Sequence, residues 1–169
     1  VSDGLAEARL SYAGAVRGLP DGVGAFPVLV ADIGGGSTEF IRGSGPRVDL
    51  IESSTSIDIR CVRIPERCLH SDPPTDDEIC DATGVVDAEL DRAFRDVSVD
   101  SIRGLIGLAG SVTTVAAHAH GLESYDAQQI HGSVTTRDQV EEVTNSLLKM
   151  SRTQRAALSV MHPGRVDVI

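Results

Sequence analysis

Along the chain, short aliphatic runs alternate with glycine-rich breaks before the pattern turns helical. Val28 to Ile33 is apolar at every position but Asp32, which predicts a strand buried on both faces. Gly34-Gly35-Gly36 breaks that run, and Ser37 to Arg42 resumes as a second strand. Gly43-Ser44-Gly45-Pro46 turns the chain again, and Val48 to Ser54 supplies a third strand. Upstream, Ser2 to Val16 sets Leu5, Ala8, Leu10 and Ala13 among polar residues and predicts a short helix; Gly18 to Gly24 reads as a loop. Ile57 to Ile64 suits strand and short helix equally, and Asp72-Pro73-Pro74 stops it. Thr75-Asp76-Asp77-Glu78 then has the form of a capping box. Ile79, Ala82, Val86, Leu90, Ala93, Phe94 and Val97 follow at helical spacing, predicting a helix over 76–96. Ile102 to Ala109 reads as a further strand, leading into a helix with Val112, Val115, Ala116 and Ala119 on its apolar stripe. Thr135 and Asp138 open another helix carrying Val140, Val143, Leu147 and Met150, and Ser151 to Ser159 forms one more short helix.

An antiparallel meander followed by strand–helix units predicts an α/β sandwich of the ribonuclease H-like kind. One such domain forms half of the two-domain cleft of the acetate kinase, sugar kinase, chaperone ATPase and actin group, an analogy of fold that licenses no function by itself. Composition narrows the chemistry. The 169 residues suffice for one domain, and aromatics are only 3% with no Trp, so the core must be aliphatic and stacking platforms for bases are not expected. A formal net charge of −10 argues against nucleic acid and anionic membrane as partners. No apolar run approaches a membrane span and no signal-peptide pattern opens the chain, so a cytoplasmic location is expected. Cys61, Cys68 and Cys80 are odd in number and lack zinc spacing, which suits reduced, partly buried thiols. The five His residues show no ligand-like spacing; His118 and His120 stand two apart.

The chemistry concentrates at two glycine turns. At the first, Asp32-Ile33-Gly34-Gly35-Gly36-Ser37-Thr38-Glu39, three residues without side chains let backbone N–H groups approach an anion. Asp32 can hold a cation or a water beside it, and Ser37 and Glu39, two apart on a strand, would share a face. A plain hairpin turn is the alternative for the glycines alone. At the second, Gly107-Leu108-Ala109-Gly110-Ser111-Val112-Thr113-Thr114, a strand gives way to a helix N-terminus with hydroxyl donors, a geometry that favours anions. An ordinary N-cap would look the same. Nothing in composition singles out Glu7 or Arg9.

With these residues the chain resembles the exopolyphosphatase / guanosine pentaphosphate phosphohydrolase (Ppx/GppA) family. The matching pieces run in family order: Glu7-Ala8-Arg9-Leu10 with Gly14, then Asp32 to Glu39, Gly107 to Thr114 with Ala116, Tyr125-Asp126, His131-Gly132, Arg155, and Pro163 to Ile169. The resemblance implies Glu7 as catalytic base or orienter of the attacking water and Glu39 as the second essential glutamate. It further implies Asp32 at the divalent-metal site, and phosphate binding by Gly34, Gly35, Gly36 and Ser37 with Gly110, Ser111 and Thr113. Mg²⁺ or another divalent cation is the implied cofactor. Inorganic polyphosphate is the favoured substrate, guanosine pentaphosphate the alternative, and a homodimer is left open. The family begins with another half-domain and continues beyond this chain, so residues 1–169 are expected to be the second half-domain alone, cut at its C-terminal end and inactive by itself. Ala6, often acidic in the family, and Ser111, often Thr, are departures. Two rivals stand beside hydrolysis: a phosphate or nucleotide sensor without turnover, and a sugar-kinase or chaperone-type ATPase half-domain.

Overall fold

The computed structural model describes residues 3–17, 19, 25–59 and 63–169; the side chains at 3–5 and 7 also lie outside the description. The expected loop over 18–24 therefore falls almost wholly outside the described residues, as does Cys61. Two compact units emerge, residues 1–60 with 86–109 and residues 61–85 with 110–169.

The first unit opens with helix α1 (Asp3–Val16) and strands β1 (Val28–Ile33), β2 (Thr38–Gly43) and β3 (Ile51–Ile57). After α2 (Arg63–Cys68) and α3 (Asp76–Asp96) comes β4 (Gly104–Leu108). The sheet order is β3-β2-β1-β4, with β4 parallel to β1 and the other pairs antiparallel. The sheet needs cover on both faces. On one, α1 packs Ala8, Tyr12, Ala15 and Val16 onto Val28, Val30 and Ile41. On the other, Leu90, Ala93, Phe94 and Val97 cover Leu29, Ala31, Phe40 and Ile57. The buried stripe of α1 thus differs from the expected one, and Leu10 is 75% exposed. Ala8 and Ala15 lack bulk, so the α1 backbone lies close to the sheet.

The third strand departs from expectation. Val48–Leu50 is a 3-10 turn and β3 begins at Ile51. The loop is closed by Ser44 N–H donating to the Leu50 carbonyl and by the Arg47–Asp49 ion pair. Its anchor is Tyr12, which is fully buried and donates its hydroxyl to the Gly45 carbonyl at 2.6 Å. A Cβ on Gly43 would lie 1.9 Å from that hydroxyl oxygen, so only glycine lets the ring seat there. Arg42 ties β2 to β3 and to the segment before β4, donating to Glu52 at 2.6 Å and to the Ser98 and Asp100 carbonyls at 2.8 and 2.7 Å.

Helix α3 has the bounds its spacing predicts, and its capping box forms. Thr75 N–H donates to Glu78 Oε2 at 2.8 Å, and the Glu78 N–H donates back to Thr75 Oγ1 at 3.3 Å. The Thr75 amide above all, then the His70 amide and the Ser71 and Thr75 hydroxyls, pull the Glu78 carboxyl down to about 2. A depressed carboxylate stabilises the fold above its ordinary pKa and loses that contribution as pH falls toward 2. Glu78→Gln is therefore expected to melt below the wild type at pH 6 and together with it near the acid end, as thermal melts across that range would read.

The second unit holds α2 and the start of α3 as far as Val85, then, from Gly110 onward, α4 (Ala109–Ala119), α5 (Ala127–Ile130), α6 (Arg137–Leu148) and α7 (Arg152–Ala156). Its core joins Val143, Leu147, Met161 and Val166 to Val115 and Ala119, beside a cluster of Ala117, Ile130 and Val160. Thr136, rather than Thr135, caps α6 in a box with Gln139, and Ser151 caps α7 in a box with Gln154. Val140, expected on the apolar stripe, is 41% exposed. Cys68 is half-buried and Cys80 exposed, so the expected partial burial holds for the first only. Among the described residues no helix is long and apolar enough to cross a membrane.

Candidate functional site

The first glycine turn joins β1 to β2, and the register sets its flanking carboxylates side by side. Asp32 stands directly opposite Glu39, and Glu39 opposite Ser56, so the three side chains leave one face of the sheet in a row. This is the α1 face. Ser37 lies in the turn rather than on β2, because its carbonyl accepts the Gly34 N–H at 3.0 Å and closes the loop. Its hydroxyl still donates to Glu39 Oε1, and Ser56 Oγ donates to the same oxygen at 3.1 Å. Glu39 is only 7% exposed, and a carboxylate so placed needs such donors. Asp32 is half-buried and accepts Ser11 Oγ on Oδ2 at 2.8 Å. No described group donates to Asp32 Oδ1 or Glu39 Oε2.

The turn itself is open. A Cβ on Gly35 or Gly36 would meet no atom within 4 Å, and neither backbone is left-handed. The fold therefore requires glycine at neither position. What glycine provides there is backbone without a side chain, exposed to solvent. Glu7 stands in α1 one turn before Ser11, and its side chain is outside the described residues.

The second glycine turn belongs to the other unit from Gly110 onward. Ala109 enters it with φ of 70°, a conformation that L residues with a side chain rarely adopt and that costs on the order of 1–3 kcal/mol. The Arg165 guanidinium lies flat against Gly110: a Cβ there would fall 1.6 Å from its central carbon. Among the described residues no carboxylate pairs with Arg165. Beside it, Ser111 Oγ is buried with no hydrogen-bond partner. A free cation, an unpartnered hydroxyl and a helix N-terminus together make an anion-favouring surface. Thr113 donates to the Gly110 carbonyl at 3.2 Å and accepts from Tyr125 at 3.1 Å.

The structure thus brings Asp32, Ser37 and Glu39 together with the open glycine turn, and gathers Gly110, Ser111 and Thr113 separately. It adds Ser11, Ser56 and Arg165, which the sequence reading gave no role at the site. Ser56 could have been found by counting register from the hairpin; Ser11 and Arg165 arrive from distant segments and carry no local signal. Among the described residues no three His, Cys, Asp or Glu side chains cluster as a metal cage. The Asp32–Glu39 pair suits a cation that takes one or two carboxylates and completes its shell with water and phosphate oxygens, as Mg²⁺ does.

Residues 1–169 match the model of the Ppx/GppA phosphatase family. Exopolyphosphatase 2 of Mycobacterium tuberculosis is 47% identical over 169 residues, all of this chain and 51% of that protein. A bifunctional 3-dehydroquinate synthase/phosphatase of Fusobacterium nucleatum is 31% identical over 147 residues, 84% of this chain and 21% of that protein. Among solved structures, an exopolyphosphatase-like protein superposes with a TM-score of 0.91 at 38% identity, covering 98% of this chain and 52% of the other. The Aquifex aeolicus Ppx/GppA phosphatase superposes at 0.83 with 27% identity, covering 96% and 51%. The chain therefore spans about half the length of the exopolyphosphatase relatives it matches. The expected ribonuclease H-like α/β architecture is the one these structures share.

Proposed function

Since the chain belongs to the Ppx/GppA phosphatase family, we propose that it supplies one half of a site that hydrolyses terminal phosphoanhydride bonds. The favoured substrate is inorganic polyphosphate, with release of phosphate, in a cytoplasmic protein about twice this length that adds the other half-domain. The observation that carries this reading is the open Gly35-Gly36 backbone set between Asp32 and the buried Glu39. Phosphoryl transfer needs a clamp on the transferring group and a placed water. The turn amides of Gly35, Gly36 and Ser37 hold phosphate oxygens, while Gly34, expected to bind phosphate too, spends its N–H on the Ser37 carbonyl and shapes the turn; Glu39, fixed by two hydroxyls, faces the terminal phosphoryl. Glu7, one turn before Ser11 in α1, prepares the water. Gly110, Ser111 and Thr113, with Arg165 laid on Gly110, form a second turn suited to phosphate. Asp32 with Glu39 would hold Mg²⁺, which when bound neutralises phosphate charge and offsets the −10 of the chain.

This reading separates folding from binding at the turn. Gly35→Ala and Gly36→Ala are expected to match or exceed wild-type stability, by up to about 1 kcal/mol, because neither position needs glycine and alanine lowers unfolded-chain entropy. Phosphate release should fall about 10-fold or more, since a misplaced phosphate costs orientation. Denaturant titration beside initial rates reads both.

The substrate is tested by phosphate release from long-chain polyphosphate and from guanosine pentaphosphate by the whole protein with Mg²⁺. A higher kcat/KM on polyphosphate is expected, because aromatics are only 3% of the chain with no Trp, and the exposed Tyr125 is tied by its hydroxyl to Thr113. A higher value on guanosine pentaphosphate would overturn the choice of substrate, and release from neither would move the sensor reading ahead.

A further inference from the structure

Asp32 projects beside the glycine turn from the penultimate position of β1, where a short side chain could turn either oxygen outward. Its carboxylate is gripped from one side only: Ser11 Oγ donates to Oδ2 at 2.8 Å, and no other described group bonds it. Ser11 is in turn well placed to grip. Its neighbour Tyr12 is fully buried and tied to the Gly45 carbonyl, so the α1 backbone at this turn cannot drift. Ala8 and Ala15 let α1 lie close enough to the sheet for a side chain as short as serine to reach. A carboxylate with one oxygen held has a fixed plane, and its second oxygen points in a fixed direction.

We infer that Ser11 is a positioning residue for Asp32: its hydroxyl sets the carboxylate plane so that Oδ1 is presented beside the glycine turn to a divalent cation. The inference rests on the proposed function for its catalytic meaning, but the cation step stands apart from turnover. Ser11 touches no substrate in this scheme. Its loss should leave the phosphate cradle intact and loosen only the orientation of Asp32.

The test uses the whole protein with Ser11→Ala, Ser11→Thr and Ser11→Val. Alanine is the better helix former, so the helix itself is not weakened. Thr and Val have the same shape and differ by the hydroxyl, so that pair decides the question even where alanine perturbs packing. Mn²⁺ binding is read by electron paramagnetic resonance without substrate, beside kcat and KM for polyphosphate at saturating Mg²⁺. Ser11→Ala and Ser11→Val are expected to weaken Mn²⁺ binding and lower kcat, each about 10-fold, the low end for lost orienting bonds. KM should stay within about twofold, because the bonds that hold the phosphates are unchanged. Ser11→Thr should restore both. Wild-type Mn²⁺ affinity in Ser11→Val, equal loss in Ser11→Thr and Ser11→Val, or a wild type that binds no Mn²⁺ would each overturn the inference. A wild type that binds Mn²⁺ in a Ser11-dependent way but releases no phosphate would overturn the proposed function and leave the role of Ser11 standing.

Discussion

Glu39→Gln is expected to leave the fold intact and to cut phosphate release from polyphosphate by about 10³-fold, the scale on which removing a catalytic carboxylate or a preorganised charge is felt. The two effects separate because of how Glu39 is held. Oε1 accepts from Ser37 and Ser56, and the amide oxygen of glutamine can accept the same two donors. The side chain is buried, so an isosteric neutral group fits without a cavity and removes the desolvation cost of a charge. What is lost is the negative charge and the second oxygen, which becomes an amide NH2 that donates where Oε2 would accept. A thermal melt within a few degrees of wild type, together with collapsed turnover, is the signature. If turnover survives, Glu39 is a structural acid and the site lies elsewhere.

Tyr12→Ala is expected to be the most damaging single change in the first unit, costing about 3–5 kcal/mol, as truncation of a buried ring does. Tyr12→Phe isolates the hydroxyl. It leaves the Gly45 carbonyl without its partner at 2.6 Å and should cost about 1–2 kcal/mol. Gly43→Ala attacks the same contact from the other side, since its new methyl would overlap the ring. Burial is also the chief reason the Tyr12 hydroxyl is pushed above its ordinary value. The neutral phenol therefore supports the fold up to about pH 10, and that support is lost as pH rises through the raised value. Urea denaturation of the three variants at pH 7, and of the wild type into the alkaline range, reads all of this. Because α1 carries Glu7 and Ser11, a loosened Tyr12 should lower activity before the protein unfolds.

What the sequence revealed follows from how local each cause is. Val28–Ile33 and Asp76–Asp96 have the bounds their patterns predict. A six-residue run apolar at every position but Asp32 and ended by glycines reads as a buried strand, and Thr75 with Glu78 writes a helix start within four residues. β3 was displaced because its start is set from outside. Tyr12, 33 residues away from Gly45, fixes the turn, and Arg47 pairs with Asp49 where a strand was expected. Leu10 looked like core by hydrophobicity and is solvent-facing, because Tyr12 and Ala8 define the packed side of α1. At the site, the glycine turn and its flanking acids are contiguous and so were legible. Ser11 on Asp32 and Arg165 on Gly110 join positions 21 and 55 residues apart, which no window of sequence displays.

The central claim is that the glycine turn, Asp32 and Glu39 form a hydrolytic phosphate site served by Glu7. Its most direct test is phosphate release from long-chain polyphosphate by the whole protein with Mg²⁺, measured for the wild type and for Glu7→Gln side by side. Steady release by the wild type and near-complete loss in the variant, with polyphosphate binding retained, are expected. Equal release by both proteins would contradict the claim.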